Sequence, residues 1–409
     1  MPAGEDRPGQ REMVDAIAHA INDGEHLVVQ AGTGTGKSLA YLIPAVLSGR
    51  RVVVATATKA LQDQLADKDL PLLAEHIDAP LSWAVLKGRS NYLCRQRLDE
   101  ALQPQTQLGL DGVADAADSS TGGSEGRVPL SELKALAAWA DDTESGDRAD
   151  LTVEPKPWVW AAVSVGPREC PGASKCPRGA DCFAEQARSR AAAADVVVVN
   201  THLYGLHLAA GGVILPDHDV VIFDEAHEVE DIMSATTGIE VGPGSVNSLA
   251  RTISSLIADE SLIDHLETNA QRLGRQLEEL VGSRLRHGVP AEVADTLLAI
   301  RERVNEVTNA VRSIDDRANA EVKTRKERVA KAAGGLLEDL HYAISPPADT
   351  VMWVGGTPEH PKIEMAPLDV GATLDDLLWN PEPSGLDFDF GAGAVAAPEA
   401  TGDAAGTTP

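Results

Sequence analysis

HLVVQAGTGTGKS, His26–Ser38, is the stretch whose reading decides the fold. The β-branched run HLVVQA (His26–Ala31) leads into AGTGTGKS (Ala31–Ser38), which is the order of a buried strand, a glycine-rich loop and the first turn of a helix. Glycines at 32, 34 and 36 let the backbone curl until its N–H groups face phosphate oxygens, and the helix N-terminus adds a favourable dipole. Gly32, Thr33, Gly34, Thr35, Gly36, Lys37 and Ser38 are therefore the candidate cradle for ATP, with Lys37 reaching the β- and γ-phosphates and Ser38 holding Mg²⁺. The first loop position is Ala31 rather than Gly, a variation that such a loop tolerates. A purely structural glycine turn has no need of strand, lysine and hydroxyl together.

Outward from the loop, RVVVAT (Arg51–Thr56), WAVLK (Trp83–Lys87), DVVVVN (Asp195–Asn200) and DVVIFDEAH (Asp219–His227) read as further buried strands, with helices after Lys37 and Thr58. Strands alternating with helices predict an α/β fold with a parallel sheet covered on both faces. The tetrapeptide DEAH (Asp224–His227) ends its strand, so its carboxylates emerge at the carboxyl edge of the sheet, where ligands of open α/β sheets bind. Asp224 is placed to reach Mg²⁺, Glu225 to orient or deprotonate an attacking water, and His227 belongs to the same candidate catalytic group as Lys37. Alone, this tetrapeptide reads equally as a helix N-cap with an acidic first turn; beside the loop at Lys37, the catalytic reading prevails.

The chain has 409 residues, of which 43% are hydrophobic, enough for several domains with real cores. No apolar run approaches the roughly eighteen residues of a membrane span, and the N-terminus has no signal-peptide pattern, so the expected compartment is the cytoplasm. A net charge of -28 argues against nucleic-acid binding over the whole surface. Much of the acid is local: Gln103 to Pro157 holds eleven acids against four bases. Bases gather instead around the cysteines and over Lys323 to Lys331, the latter read as a solvated helix face more readily than as a DNA contact. The expected organisation is a first motor part over 1–90, a cysteine module with an acidic flexible insertion over 91–192, and a DEAH part over 193–244. An all-helical insertion follows over 245–345, then a return to the first sheet over 346–380 through TVMWVGG (Thr350–Gly356) and KIEMAPL (Lys362–Leu368). A Pro-, Gly- and Ala-rich tail over 381–409 is expected to be disordered.

Cys94, Cys170, Cys176 and Cys182 are the four cysteines of the chain and all fall in the inserted module. A cytosolic protein has little use for disulfides, so metal ligation is favoured over packing alone. Four thiolates suit either tetrahedral Zn²⁺ or a [4Fe-4S] cluster. The five-residue gaps between the last three, and the Cys–Pro steps at 170 and 176, lean toward iron–sulfur, because structural zinc more often uses tighter pairs. Trp158 and Trp160 read either as a stacking platform for bases or as core. His202 reads as a helix cap.

Together these motifs resemble superfamily 2 helicases, and within them the DinG/XPD-like iron–sulfur DNA helicases. RPGQ (Arg7–Gln10) resembles the adenine-reading segment, with Gln10 on the base edge. TATKALQDQL (Thr56–Leu65) resembles the segment that tracks a DNA backbone, which would make Thr56, Thr58 and Lys59 DNA contacts. KGRSNYLC (Lys87–Cys94) and ECPGASKCPRGADCFAEQAR (Glu169–Arg188) resemble the cluster-binding segments, and VVVVNTHLY (Val196–Tyr204) the strand and turn before DEAH. The resemblance implies a RecA-like P-loop sheet with an iron–sulfur module and an arch-like helical insertion. It also implies 5′-to-3′ unwinding of single-stranded or forked DNA and a role in DNA repair. It further implies a second RecA-like lobe whose arginines stabilise the transferring phosphoryl group. No motif of that lobe is found before Pro409, so the chain is expected to be a truncated form, half of a split helicase with a separately encoded lobe, or a catalytically weak binding fragment.

Overall fold

A computed structural model describes residues 7–32, 34–103, 128–254, 256–257, 259–315 and 319–380. The expected tail over 381–409, most of the acidic insertion and Thr33 lie outside the described residues.

Four parallel strands form the sheet of the first half: β1 (Val52–Thr56), β2 (Trp83–Val85), β3 (Val196–Asn200) and β4 (Val220–Asp224), in the order β2-β3-β1-β4. All five β1 residues are buried and β3 is nearly so, as expected of valine runs enclosed on both faces. One face is covered by helices Pro8–Asp23, Lys37–Leu47 and Leu70–Ala74, the other by Phe183–Ala193 and Thr201–Ala209. Register aligns Thr56 of β1 with Asn200 of β3 on one side and with Asp224 of β4 on the other. Three polar side chains therefore reach the carboxyl edge of the sheet at the same level.

The run His26–Ala31 does not join this sheet. It forms no ladder with any described strand, and Val28 is 92% exposed. A β-branched run specifies extended backbone; which neighbour it pairs with is decided by tertiary placement. The expected return of Thr350–Gly356 and Lys362–Leu368 to the first sheet is likewise corrected. β6 (Thr350–Thr357) and β7 (His360–Pro367) form an antiparallel hairpin, and β7 pairs with β5 (Ile239–Val241) in a separate sheet ordered β5-β7-β6. The chain returns to the first half only afterwards, through Val370–Leu374, where Leu374 packs into its core.

The three-stranded sheet shares a second core with four helices, Pro243–Ser254, Glu260–Glu278, Ala291–Ser313 and Ala320–Ile344. Leu266, Ala270, Leu273 and Leu277 recur along one stripe of Glu260–Glu278 and are fully buried, the spacing expected of a helix with one apolar face. The cysteine module lies on the sheet's other flank and shares its core, with Leu93, Leu98, Trp160 and Phe183 in one cluster with Val197 and Val199. No described helix is long and apolar enough to cross a membrane.

Candidate functional site

Helix Lys37–Leu47 begins on Gly36, whose φ of 81° lies in the left-handed region, and Gly34 has a φ of 77°. Both values suit glycine and strain any other residue. The loop is braced from Pro8–Asp23 and the residue before it. Arg7 Nη1 donates to the Gly34 carbonyl at 3.0 Å, and Gln10 Nε2 donates to the Gly36 carbonyl at 3.0 Å. Thr35 Oγ1 closes the loop on the Gly32 carbonyl at 2.9 Å. Gln10, the expected adenine reader, thus has its side-chain N–H engaged with the loop itself.

Residues separated by 188 positions meet here. Lys37 Nζ lies 3.4 Å from Glu225 Oε1, with the two side chains about a quarter to a third exposed. Beside them the hydroxyl of Tyr41, one helical turn beyond Lys37, donates to Asp224 Oδ2 at 3.1 Å. Ser38, the other expected Mg²⁺ ligand, lies three residues before Tyr41 on the same helix. Burial, and then the neighbouring Asp224 charge, pushes the Tyr41 phenol well above its ordinary value, which keeps its proton available to the carboxylate. Sequence reading missed Tyr41, because an aromatic one turn into a core-facing helix reads as packing. Glu225 is the one non-glycine with positive φ among the described residues, at 61°. Its conformation turns the acid back toward Lys37. His227 is mostly exposed, with Nδ1 3.4 Å from Glu225 Oε2.

Of the expected DNA contacts, Thr58 and Lys59 are exposed, whereas Thr56 is fully buried. Thr56 Oγ1 donates to the Thr58 carbonyl, and Thr58 Oγ1 in turn accepts from Leu61 N–H, capping the next helix. Thr56 therefore shapes the turn that presents the other two. A polar cavity of ≈ 350 Å³ opens beside this turn, with Lys59, Lys87, Asn91, Arg148 and Asn200 among its lining. The two tryptophans separate: Trp160 is buried and donates to the Ser90 carbonyl at 2.7 Å, while Trp158 is 41% exposed with the Lys156 ammonium 5.7 Å from its ring centre. His202 is exposed, and the cap expected of it is made by Asn200, whose Oδ1 accepts from Leu203 N–H at 2.7 Å.

All four cysteines line one small cavity between Gln96, Val165 and helix Ala320–Ile344. Burial pushes the Cys94 thiol up to about 12 and raises those of Cys176 and Cys182, with further contributions from neighbouring thiols, chiefly Cys170. Among the described residues no three metal-ligating side chains close on a single ion. The basic run Lys323 to Lys331 is not a uniformly solvated face. Arg328 forms a bidentate, buried pair with Glu100 at 2.7 and 2.9 Å, Thr324 Oγ1 donates to the Lys175 carbonyl, and Lys331 Nζ donates to the Cys170 carbonyl at 2.9 Å. These side chains clamp the helical half onto the cysteine module.

A glycine-rich loop and an acidic pair meet beside a parallel sheet, and residues 7–110 match the DEAD/DEAH box helicase family. The chain is similar to helicases of the DinG type. It is 43% identical over 274 residues to the ATP-dependent helicase DinG of Mycobacterium tuberculosis, covering 62% of this chain and 39% of that protein. It is 36% identical over 296 residues to the ATP-dependent DNA helicase YoaA of Escherichia coli, covering 71% of this chain and 43% of that one. The matched region thus spans less than half the length of these relatives. A solved structure titled XPD_Helicase aligns at TM-score 0.47 and 12% identity, over 92% of this chain and 56% of that one.

Proposed function

We propose that this chain forms the nucleotide-binding part of an ATP-dependent DNA helicase that moves 5′-to-3′ on single-stranded or forked DNA, in the cytoplasm and in the service of DNA repair. The observation that carries the motor reading is the meeting of Lys37 and Glu225 at 3.4 Å, with Tyr41 donating to Asp224 beside them. A triphosphate in the loop would compete for Lys37 and leave Glu225 to orient water, and Ser38 and Asp224 would hold the Mg²⁺ that offsets phosphate charge. Thr58 and Lys59, exposed at the carboxyl edge of β1, are the nearest DNA-facing pair, and the relatives' printed activity supports the choice of DNA. Arginines from a second RecA-like lobe, on a longer chain or a separate one, would complete the transition-state charge.

The donor set of Cys94, Cys170, Cys176 and Cys182 fits a [4Fe-4S] cluster. Four cysteines lining one cavity supply the four thiolates that such a cluster takes. When bound, such a cluster cross-links the module and carries one electron. The chain's own part is to hold the ligands against the core through Cys94 N–H, which donates to the Val163 carbonyl at 2.7 Å, and through the helical clamp.

Steady-state ATPase assays with and without single-stranded DNA test the motor reading. DNA-stimulated turnover should fall at least about a hundredfold in Lys37→Ala, the scale of losing a group that stabilises transition-state charge. Turnover untouched by that change sinks the proposal, and nucleotide binding without any turnover favours a non-catalytic binding module.

A further inference from the structure

The four cysteines sit among cations. Arg89 Nη1 lies 3.7 Å from Cys170 Sγ, Lys331 Nζ holds the Cys170 carbonyl at 2.9 Å, and Arg328 and Arg89 line the same cavity as the thiols. Arg97, one helical turn past Cys94, has a buried Nε with no hydrogen-bond partner among the described residues, as does Arg328. Glu185 pairs with Arg89 and Glu100 with Arg328. Glu169 also faces Arg97 and Arg328. Arg97 is flanked by Glu100 as well as Glu169, whereas no carboxylate is paired with Lys331 among the described residues. Neutral thiols give buried cations little compensation, whereas thiolates on an iron–sulfur cluster leave the whole group negative.

We propose that Arg89, Arg97, Arg328 and Lys331 form a cationic shell that offsets the charge of a cluster on Cys94, Cys170, Cys176 and Cys182 and raises its reduction potential. The inference rests on the cluster reading given above and adds the residues that tune it. Reduction places one electron on the cluster and makes no bond, so the net negative charge increases by one and nearby cations favour the reduced form. Arg328 and Lys331 belong to helix Ala320–Ile344, so the helical half supplies two of the four charges. Lifting that helix from the module therefore acts on the potential in the same direction as deleting a cation.

The test uses the full chain, purified anaerobically, with iron and sulfide content, the absorption near 400 nm and the midpoint potential at an electrode as readouts. Lys331→Met should shift the oxidised-to-reduced ratio about tenfold at fixed potential, a fall of ~59 mV for one electron. Lys331→Arg should restore the wild-type potential. Lys323→Met, exposed on the same helix, is the control and should leave it unmoved. Arg328→Met and Arg89→Met are set aside because they strand Glu100 and Glu185. Iron-loaded variants whose potentials move no further than the control overturn the shell while leaving the cluster standing. A wild-type chain without iron overturns the cluster reading and the shell with it.

Discussion

Tyr41 ties helix Lys37–Leu47 to the acidic end of β4, since its hydroxyl donates to Asp224. Removing that hydroxyl leaves a carboxylate that is only 8% exposed with one fewer donor. Tyr41→Phe should cost about 1–3 kcal/mol in stability, the range for a hydrogen bond to a charged group, and should weaken Mg²⁺-nucleotide affinity more than nucleotide affinity without the metal. Urea unfolding and fluorescent-nucleotide titration check the two parts. On the far side of the sheet His207 is buried, accepts from Leu215 N–H at 3.0 Å and faces His218, Tyr204 and Asp217. Burial, then the His218 ring, lowers it from 6.5 to about 4. The folded state therefore holds the neutral ring while the unfolded chain takes up a proton as pH drops below about 6.5. Stability is full above that value and declines down to about pH 4, by roughly 3 kcal/mol in all. Melting curves across this window should show a smaller acid loss for His207→Gln than for the wild type.

Among the elements, helix Ala320–Ile344 differs most from its sequence reading. Its basic residues have the spacing of a solvated stripe, and periodicity cannot distinguish water from a polar partner on another module; only the presence of Glu100 opposite Arg328 does so. Burning one member of this pair strands the other: Arg328→Met should destabilise by about 3–5 kcal/mol, and the double change Glu100→Gln with Arg328→Met by clearly less. Equal losses in the single and double variants, measured by denaturant unfolding, would show that the pair acts through shape alone. The strands were legible to different degrees. β1, β3 and β4 are apolar valine-rich runs, and such runs belong to a sheet covered on both faces whatever their order. β6 and β7 alternate buried and exposed positions across a tight turn at Pro358 and Glu359, a hairpin signal that was read as two separate returning strands. The nucleotide motifs were legible because their chemistry fixes residue type and spacing. Tyr41, Arg7 and the Asn200 cap were not, because their roles depend on what the fold brings opposite them.

At the scale of the molecule there are two cores, one built on the parallel sheet and one on the antiparallel sheet with its helices. They meet through polar contacts at the cysteine module: Arg328 with Glu100, Arg168 with Asp339, and Lys331 with the Cys170 backbone. The departure and return of the second core sit side by side, since Ile239 and Met365 are paired partners in β5 and β7. To the parallel sheet the whole excursion is topologically a short loop. An appendage rooted at one such graft point can be enlarged, exchanged or shed in the course of descent without altering the register of that sheet's strands.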